Sequence, residues 1–202
     1  GETTITEAHL QEERRTAETS LGGTSGGGII ALAGVVLAII GLDEAGVRAV
    51  CAGSGMEIAN INSPGQIAIS GPASAMDAAT QLAKEKGAQR VVPLPVSGAF
   101  HSRLMQPAAD GMARAVAGLR FQEASIPIVA NTSAQPLSGG DGLKAELLQQ
   151  LCHSVLWQKS VEWMIGEGVT EFVEIGPGQV LTGLIKRISK DVRATPTEAR
   201  KP

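Results

Sequence analysis

A chain of 202 residues with a formal net charge of −3 is long enough for one substantial core, or for one domain carrying a smaller subdomain. The near-balanced charge gives no electrostatic case for nucleic acid or an anionic membrane; aromatics at 2% and the absence of tyrosine also argue against base stacking. Two cysteines, Cys51 and Cys152, suit a reduced cytosolic protein better than a disulfide scaffold, and with three histidines they show no metal-ligand spacing.

The first 28 residues are polar and charged up to Glu18 and dominated by glycine from Leu21, which predicts irregular backbone. Residues 29–40 are continuously apolar and follow Arg14-Arg15, superficially a signal peptide. The run is too short for a bilayer, which needs about 20 apolar residues. It also continues into Gly41-Leu-Asp-Glu44 with no small-residue cleavage pattern, so buried core containing a strand is expected. Asp43 then caps a short helix with Val47, Val50 and Cys51 on one face. Residues 57–61 and 66–70 read as two strands joined by Asn62-Ser-Pro-Gly65, whose turn chemistry suits a hairpin. Pro72 opens a helix with Ala75, Met76, Ala79, Leu82 and Ala83 inward, and Gly87 closes it. Residues 90–94 supply the next strand. The order strand, helix, strand, strand, helix, strand is the split βαβ, or ferredoxin-like, pattern.

The stretch Pro95-Val-Ser-Gly-Ala-Phe-His101-Ser102 sets a lone histidine between that strand and an amphipathic helix. Leu104, Met105, Ala108, Met112, Ala115, Val116 and Leu119 recur at helical spacing, with Ser102 as the expected N-cap. A histidine near a helix N-terminus feels a dipole that disfavours the imidazolium, which leaves a neutral base available. The alternative from this stretch alone is a satisfied histidine at a helix start. Further on, the pattern predicts a strand at 126–130 ending at Asn131-Thr132, helices around 143–151 and 159–166, a strand at 171–175, and a last helix at 180–188. Alternating strands and helices indicate parallel α/β packing. Ile175-Gly-Pro-Gly-Gln179 lacks both dinucleotide-binding and Walker spacing, so its glycines read as a close strand-to-helix turn. The polar stretch 189–202 is expected to fray.

Several segments together resemble the malonyl-CoA:acyl-carrier-protein transacylase family. They are Ile40-Gly-Leu-Asp43, Asn60-Ile-Asn-Ser-Pro-Gly-Gln66, Val92-Pro-Leu-Pro-Val-Ser97, Ala99-Phe-His-Ser102, Leu104-Met105, Gln150-Leu151, Ser160-Val-Glu-Trp163, and Glu174-Ile-Gly-Pro-Gly178 through Leu181-Thr-Gly-Leu184. The match is collinear from about residue 39 to 188. The resemblance implies a hydrolase-like parallel α/β domain with an inserted ferredoxin-like α+β subdomain. The corresponding division is 1–28 as an irregular, glycine-rich remnant of the acyltransferase domain, 29–97 as the subdomain, 98–188 as the C-terminal part of the α/β domain, and 189–202 as a tail.

The resemblance also implies the chemistry. A malonyl group passes from the coenzyme A thioester, a substrate rather than a cofactor, to a serine, and then to the phosphopantetheine thiol of acyl carrier protein in the cytoplasm. His101 is implied as the general base for that serine, because a hydroxyl is a poor nucleophile until a nearby base takes its proton. Gln150 is implied to orient the imidazole with its backbone carbonyl, the role an acid plays in other triads. Phe100 is implied as a specificity residue, its ring filling space beside the acyl α-carbon; one methyl is worth only about 1–3 kcal/mol, so it sets a preference.

The N-terminal part departs from the family. Thr19-Ser20-Leu-Gly22 makes Ser20 the candidate nucleophile, although Glu18 and Thr19 stand where the family has glycine and histidine. The interval from Ser20 to His101 is shorter than the family's, so the α/β domain reads as incomplete and no residue, Arg14 and Arg15 included, is assigned to the malonyl carboxylate. A literal G-x-S-x-G at Gly23-Thr-Ser25-Gly-Gly27 has no apolar strand before it, as a nucleophile elbow requires. The alternative to a transacylase is therefore a non-catalytic fragment of the family that keeps the fold and carrier-protein contacts.

Overall fold

The structure, a computed structural model, describes residues 34–96 and 98–197. Its first element is β1 (Gly34–Ile40), the end of the apolar run, whose branched side chains suit a strand buried on both faces. Gly41 turns the chain at φ +95°, and the Asp43 carboxylate accepts the Gly46 N–H at 2.8 Å to cap α1 (Glu44–Ser54). Gly55, left-handed at φ +78°, ends that helix and donates its N–H to the Cys51 carbonyl. β2 (Glu57–Ser63) and β3 (Gln66–Pro72) form the expected hairpin, with Gly65 at φ +70° in the two-residue turn after Pro64.

Pro72 ends β3 instead of opening the helix. A 3₁₀ turn at Ala73–Ala75 intervenes, and α2 (Met76–Glu85) starts four residues after the proline. β4 (Arg90–Leu94) completes a four-stranded sheet in the order β2-β3-β1-β4, every neighbour antiparallel. Leu37, Ile39, Ile67 and Ile69 meet Val47, Val50, Ala79 and Ala83 of α1 and α2 in the main core. Val36, Ala59 and Ala68 form a smaller cluster of their own, and β2 also packs against two later helices described next.

A 3₁₀ turn (Arg103–Met105) leads into α3 (Gln106–Val116), so the long helix expected to reach Leu119 ends one turn early and Leu119 is exposed. β5 (Ile128–Val129) pairs antiparallel with β6 (Pro136–Leu137), a hairpin where parallel packing was expected. α4 (Gly140–Gln149) and α5 (Trp157–Gly166) follow. β7 (Glu171–Glu174), α6 (Val180–Ile188) and β8 (Arg193–Pro196) close the chain, with β7 and β8 parallel. β8 thus makes strand out of a stretch expected to fray. Polar Arg193 and Thr195 alternate with Ala194, which is buried against Val161 and Ile185. The whole is a mixed α/β fold around a central antiparallel sheet. Among the described residues no helix is long and apolar enough to cross a membrane.

Candidate active site

After β4 the chain passes against the start of β1. A Cβ on Gly34 would lie 2.5 Å from Ala99 Cβ and 2.6 Å from Ala99 N, so the approach requires glycine. Ser102, 0% exposed, turns its hydroxyl back to donate to the Ala99 carbonyl at 2.6 Å. It therefore closes a tight turn over Ala99–Ser102 and does not cap the following helix with its side chain. His101 sits in that turn at φ +60°. A left-handed non-glycine residue costs on the order of 1–3 kcal/mol and persists only where its surroundings over-determine it.

Two consecutive carbonyls supply that constraint. The His101 N–H donates to Leu151 O at 3.1 Å, and Nδ1 lies 2.7 Å from Gln150 O. A carbonyl can only accept, so Nδ1 carries the proton and the neutral ring keeps its lone pair on Nε2. Among the described residues Nε2 has no hydrogen-bond partner. A helix dipole is not what keeps this ring neutral, contrary to the expectation from sequence, because α3 begins only at Gln106 and a dipole acts mainly within the first turn.

Gln150 follows the last residue of α4, its N–H bonded to Glu146 O at 3.0 Å. Its side-chain Oε1 accepts from Asn131 Nδ2 at 2.9 Å. Next door, Thr132 donates its N–H and hydroxyl to the two Glu146 oxygens at 3.0 and 2.6 Å. Asn131 O in turn accepts the Leu156 N–H at 2.8 Å. The sequence marked Asn131-Thr132 only as a strand end, and nothing in the spacing of Asn131, Glu146 and Leu151 signals their convergence on the histidine loop.

Phe100 is half-buried, and a Cβ on Gly98 would meet its ring at 3.5 Å and Met105 Sδ at 3.8 Å, so ring and thioether flank Gly98. Ser20, Ser25, Arg14 and Arg15 lie outside the described residues.

The site is tied to the four-stranded sheet by the segment that follows it. Val155 N donates to Ala59 O at 2.8 Å and Ile61 N to Val155 O at 2.9 Å, a parallel bridge on the outer edge of β2. The Ser154 hydroxyl donates to Ile58 O, and Arg103 pairs with Glu57 at 3.3 Å across an exposed gap.

The Gly176-Pro-Gly178 loop holds a carboxylate of the chain itself. Glu174 accepts the Leu181 and Thr182 N–H groups at 3.0 and 2.7 Å, capping α6. Burial would raise its carboxyl, but the Thr182 hydroxyl close by, although it forms no hydrogen bond of good geometry, and the N–H groups of residues 180–182 together outweigh burial and hold it below the usual range. With its donors engaged, that helix start is a structural turn and not a phosphate cradle. Burial pushes the Cys51 thiol up to about 11, only partly offset by Arg48, and pushes Cys152 up as well.

A histidine fixed in one tautomer by the Gln150 carbonyl, on a tight turn against a mixed α/β fold, has an imidazole lone pair on Nε2 that can accept a proton. The chain belongs to the acyl transferase domain family, which matches residues 32–200. It is similar to the malonyl CoA-acyl carrier protein transacylase of Bacillus subtilis, 40% identical over 165 residues that make up 79% of this chain and 52% of the relative. Among solved structures it is similar to an acyl carrier protein S-malonyltransferase from Vibrio cholerae, with a TM-score of 0.80 and 40% identity over 84% of this chain and 56% of that one. A type II polyketide-synthase acyl-carrier protein in complex with its malonyl-transacylase gives a TM-score of 0.80 and 35% identity, over 84% and 56%. The chain thus spans about half the length of the relatives it matches.

Proposed function

We propose that this chain carries the base half of a malonyl-CoA:acyl-carrier-protein transacylase. The observation that supports it best is the His101 imidazole, with Nδ1 2.7 Å from Gln150 O and Nε2 without a partner among the described residues. In this reading Nε2 takes the proton of a serine hydroxyl as its oxygen attacks the malonyl thioester carbonyl. The C–S bond breaks, coenzyme A leaves as its thiol with that proton, and an acyl-serine remains. The phosphopantetheine thiol of acyl carrier protein then gives its proton to Nε2 and attacks the ester, and the serine oxygen recovers the proton. Gln150 acts as the orienting group by holding the tautomer and, once the ring is charged, by accepting from it. Ser20 is the candidate nucleophile, and Phe100 biases the site towards malonyl over α-methylated groups.

The finer architecture belongs to the same reading. The element order β1-α1-β2-β3-α2-β4 with sheet order β2-β3-β1-β4 supports a ferredoxin-like subdomain, and the parallel β7–β8 pair supports a segment of a hydrolase-like sheet. The corresponding domains are 29–97 and 98–188, with 1–28 as the shortened remainder of the acyltransferase domain. The reduced-cysteine composition supports a cytoplasmic setting, with malonyl-CoA and acyl carrier protein as partners.

A second reading, a non-catalytic member of the family, is favoured by one observation. Val173 and Val180 are 54% and 72% exposed beside a parallel pair that has two strands among the described residues, although parallel sheets are normally covered on both faces. Intact-mass spectrometry after brief incubation with malonyl-CoA separates the two. A malonyl adduct mapping to Ser20, and lost in both Ser20→Ala and His101→Ala, is the expected result. A folded wild-type chain that acquires no adduct leaves the non-catalytic reading.

A further inference from the structure

We propose that Asn131 is a positioning residue for His101, acting through the Gln150 side chain; the proposal rests on the reading of His101 as the base. The Gln150 carbonyl that fixes the imidazole tautomer belongs to the residue immediately after α4, where helix ends fray. A frayed end would let that carbonyl rotate and the tautomer equilibrate. Asn131 opposes this from outside the helix, with Nδ2 on Gln150 Oε1 at 2.9 Å.

Asn131 is itself held at both ends. Its carbonyl accepts Leu156 N, next to the bridge joining residues 154–156 to β2. Its neighbour Thr132 grips both oxygens of Glu146, one turn before Gln150 on the same helix. Gln150 is therefore braced by side chain as well as main chain. The brace runs from the edge of the four-stranded sheet through Asn131 to the carbonyl that faces Nδ1. Asn131 touches no reacting atom in this scheme. It sets how completely the lone pair is kept on Nε2, the atom that must accept the serine proton.

The test reads the ring and not the reaction. The full chain is labelled with ¹⁵N, and the Nδ1 and Nε2 shifts of His101 are followed where the ring is neutral. His153 is the internal reference, because its Nδ1 lies 2.7 Å from Gln149 O at the same helix end. Loss of one braced hydrogen bond in Asn131→Ala is expected to lower the ratio of Nδ1–H to Nε2–H tautomer at His101 roughly fivefold, with His153 unmoved. Asn131→Asp is expected to restore the ratio, since Gln150 can flip its amide and donate to the carboxylate. An unchanged ratio in Asn131→Ala overturns the proposal, and so does a common shift of His101 and His153, which would mean only that the helix end had come loose. If Asn131→Ala does not fold, Gln150→Ala removes the same hydrogen bond from the other side, keeps the carbonyl and carries the same outcomes. Where malonyl transfer is measurable, Asn131→Ala lowers kcat at unchanged KM. Absence of transfer by the unaltered chain would count against the transacylase reading and leave the tautomer result standing on its own.

Discussion

His101 shows how much local structure is needed to aim one ring. Its backbone lies in the left-handed region, its N–H is on Leu151, Nδ1 is on Gln150, and the next residue's hydroxyl closes the turn. Ser102 is fully buried, so Ser102→Ala removes a hydrogen bond that water cannot replace. It is expected to cost about 1–3 kcal/mol, measured as a lower urea midpoint at unchanged m-value. Burial raises both cysteine thiols, Cys51 the further. With its thiol at about 11, Cys51 is almost wholly protonated near pH 8 and is expected to resist iodoacetamide in the folded chain, whereas unfolding exposes it to rapid alkylation. The histidine was visible in the sequence as a lone ring between strand and helix. Of what holds it, the Gln150 carbonyl came only through the family resemblance and the Leu151 carbonyl not at all, because main-chain carbonyls are common to every residue and carry no pattern of their own.

The elements form where their side-chain patterns say, and they differ mainly at their ends. β1 is flanked by β3 and β4 and buries Leu37 completely; Leu37→Ala is expected to cost about 2–5 kcal/mol, whereas Val173→Ser on exposed β7 should stay within about 0.5 kcal/mol in the same titration. α6 depends on Glu174 for its N-terminal donors. Because the folded carboxyl is held below its unfolded value, its contribution is complete above the unfolded value of about 4.3 and is lost as pH falls through the lower folded value. Glu174→Gln is expected to cost about 0.5–1 kcal/mol at pH 7, and the difference from the unaltered chain should close on acidification into that window. Periodicity located α1, α2, α5 and α6 because each has an apolar stripe that the core requires. It overextended the helix after His101 and missed β6 and β8, since helix ends and short edge strands are decided by neighbours and not by their own pattern.

In the whole molecule, the four-stranded sheet and the histidine loop are joined along one strand edge, where residues 154–156 lie beside β2. Val155→Pro removes the N–H that bonds Ala59. It is expected to speed hydrogen exchange at the Ile61 amide, which bonds Val155 O, while amides within β1 and β3 stay protected. The sequence by itself determined the hydrophobic core around β1, the hairpin at Pro64-Gly65, the strand–helix order from β1 to β4 and the histidine, since each depends on local turn chemistry or on a period that burial enforces. It also carried the motifs of the acyl transferase family. Only the tertiary structure decided that Asn131 bonds the Gln150 side chain, that Leu151 holds the His101 N–H, and that Ser102 serves the turn and not the helix. Those contacts run between main-chain atoms and ordinary polar side chains up to 50 residues apart, and hydrogen bonds of that kind leave no periodic trace in a sequence.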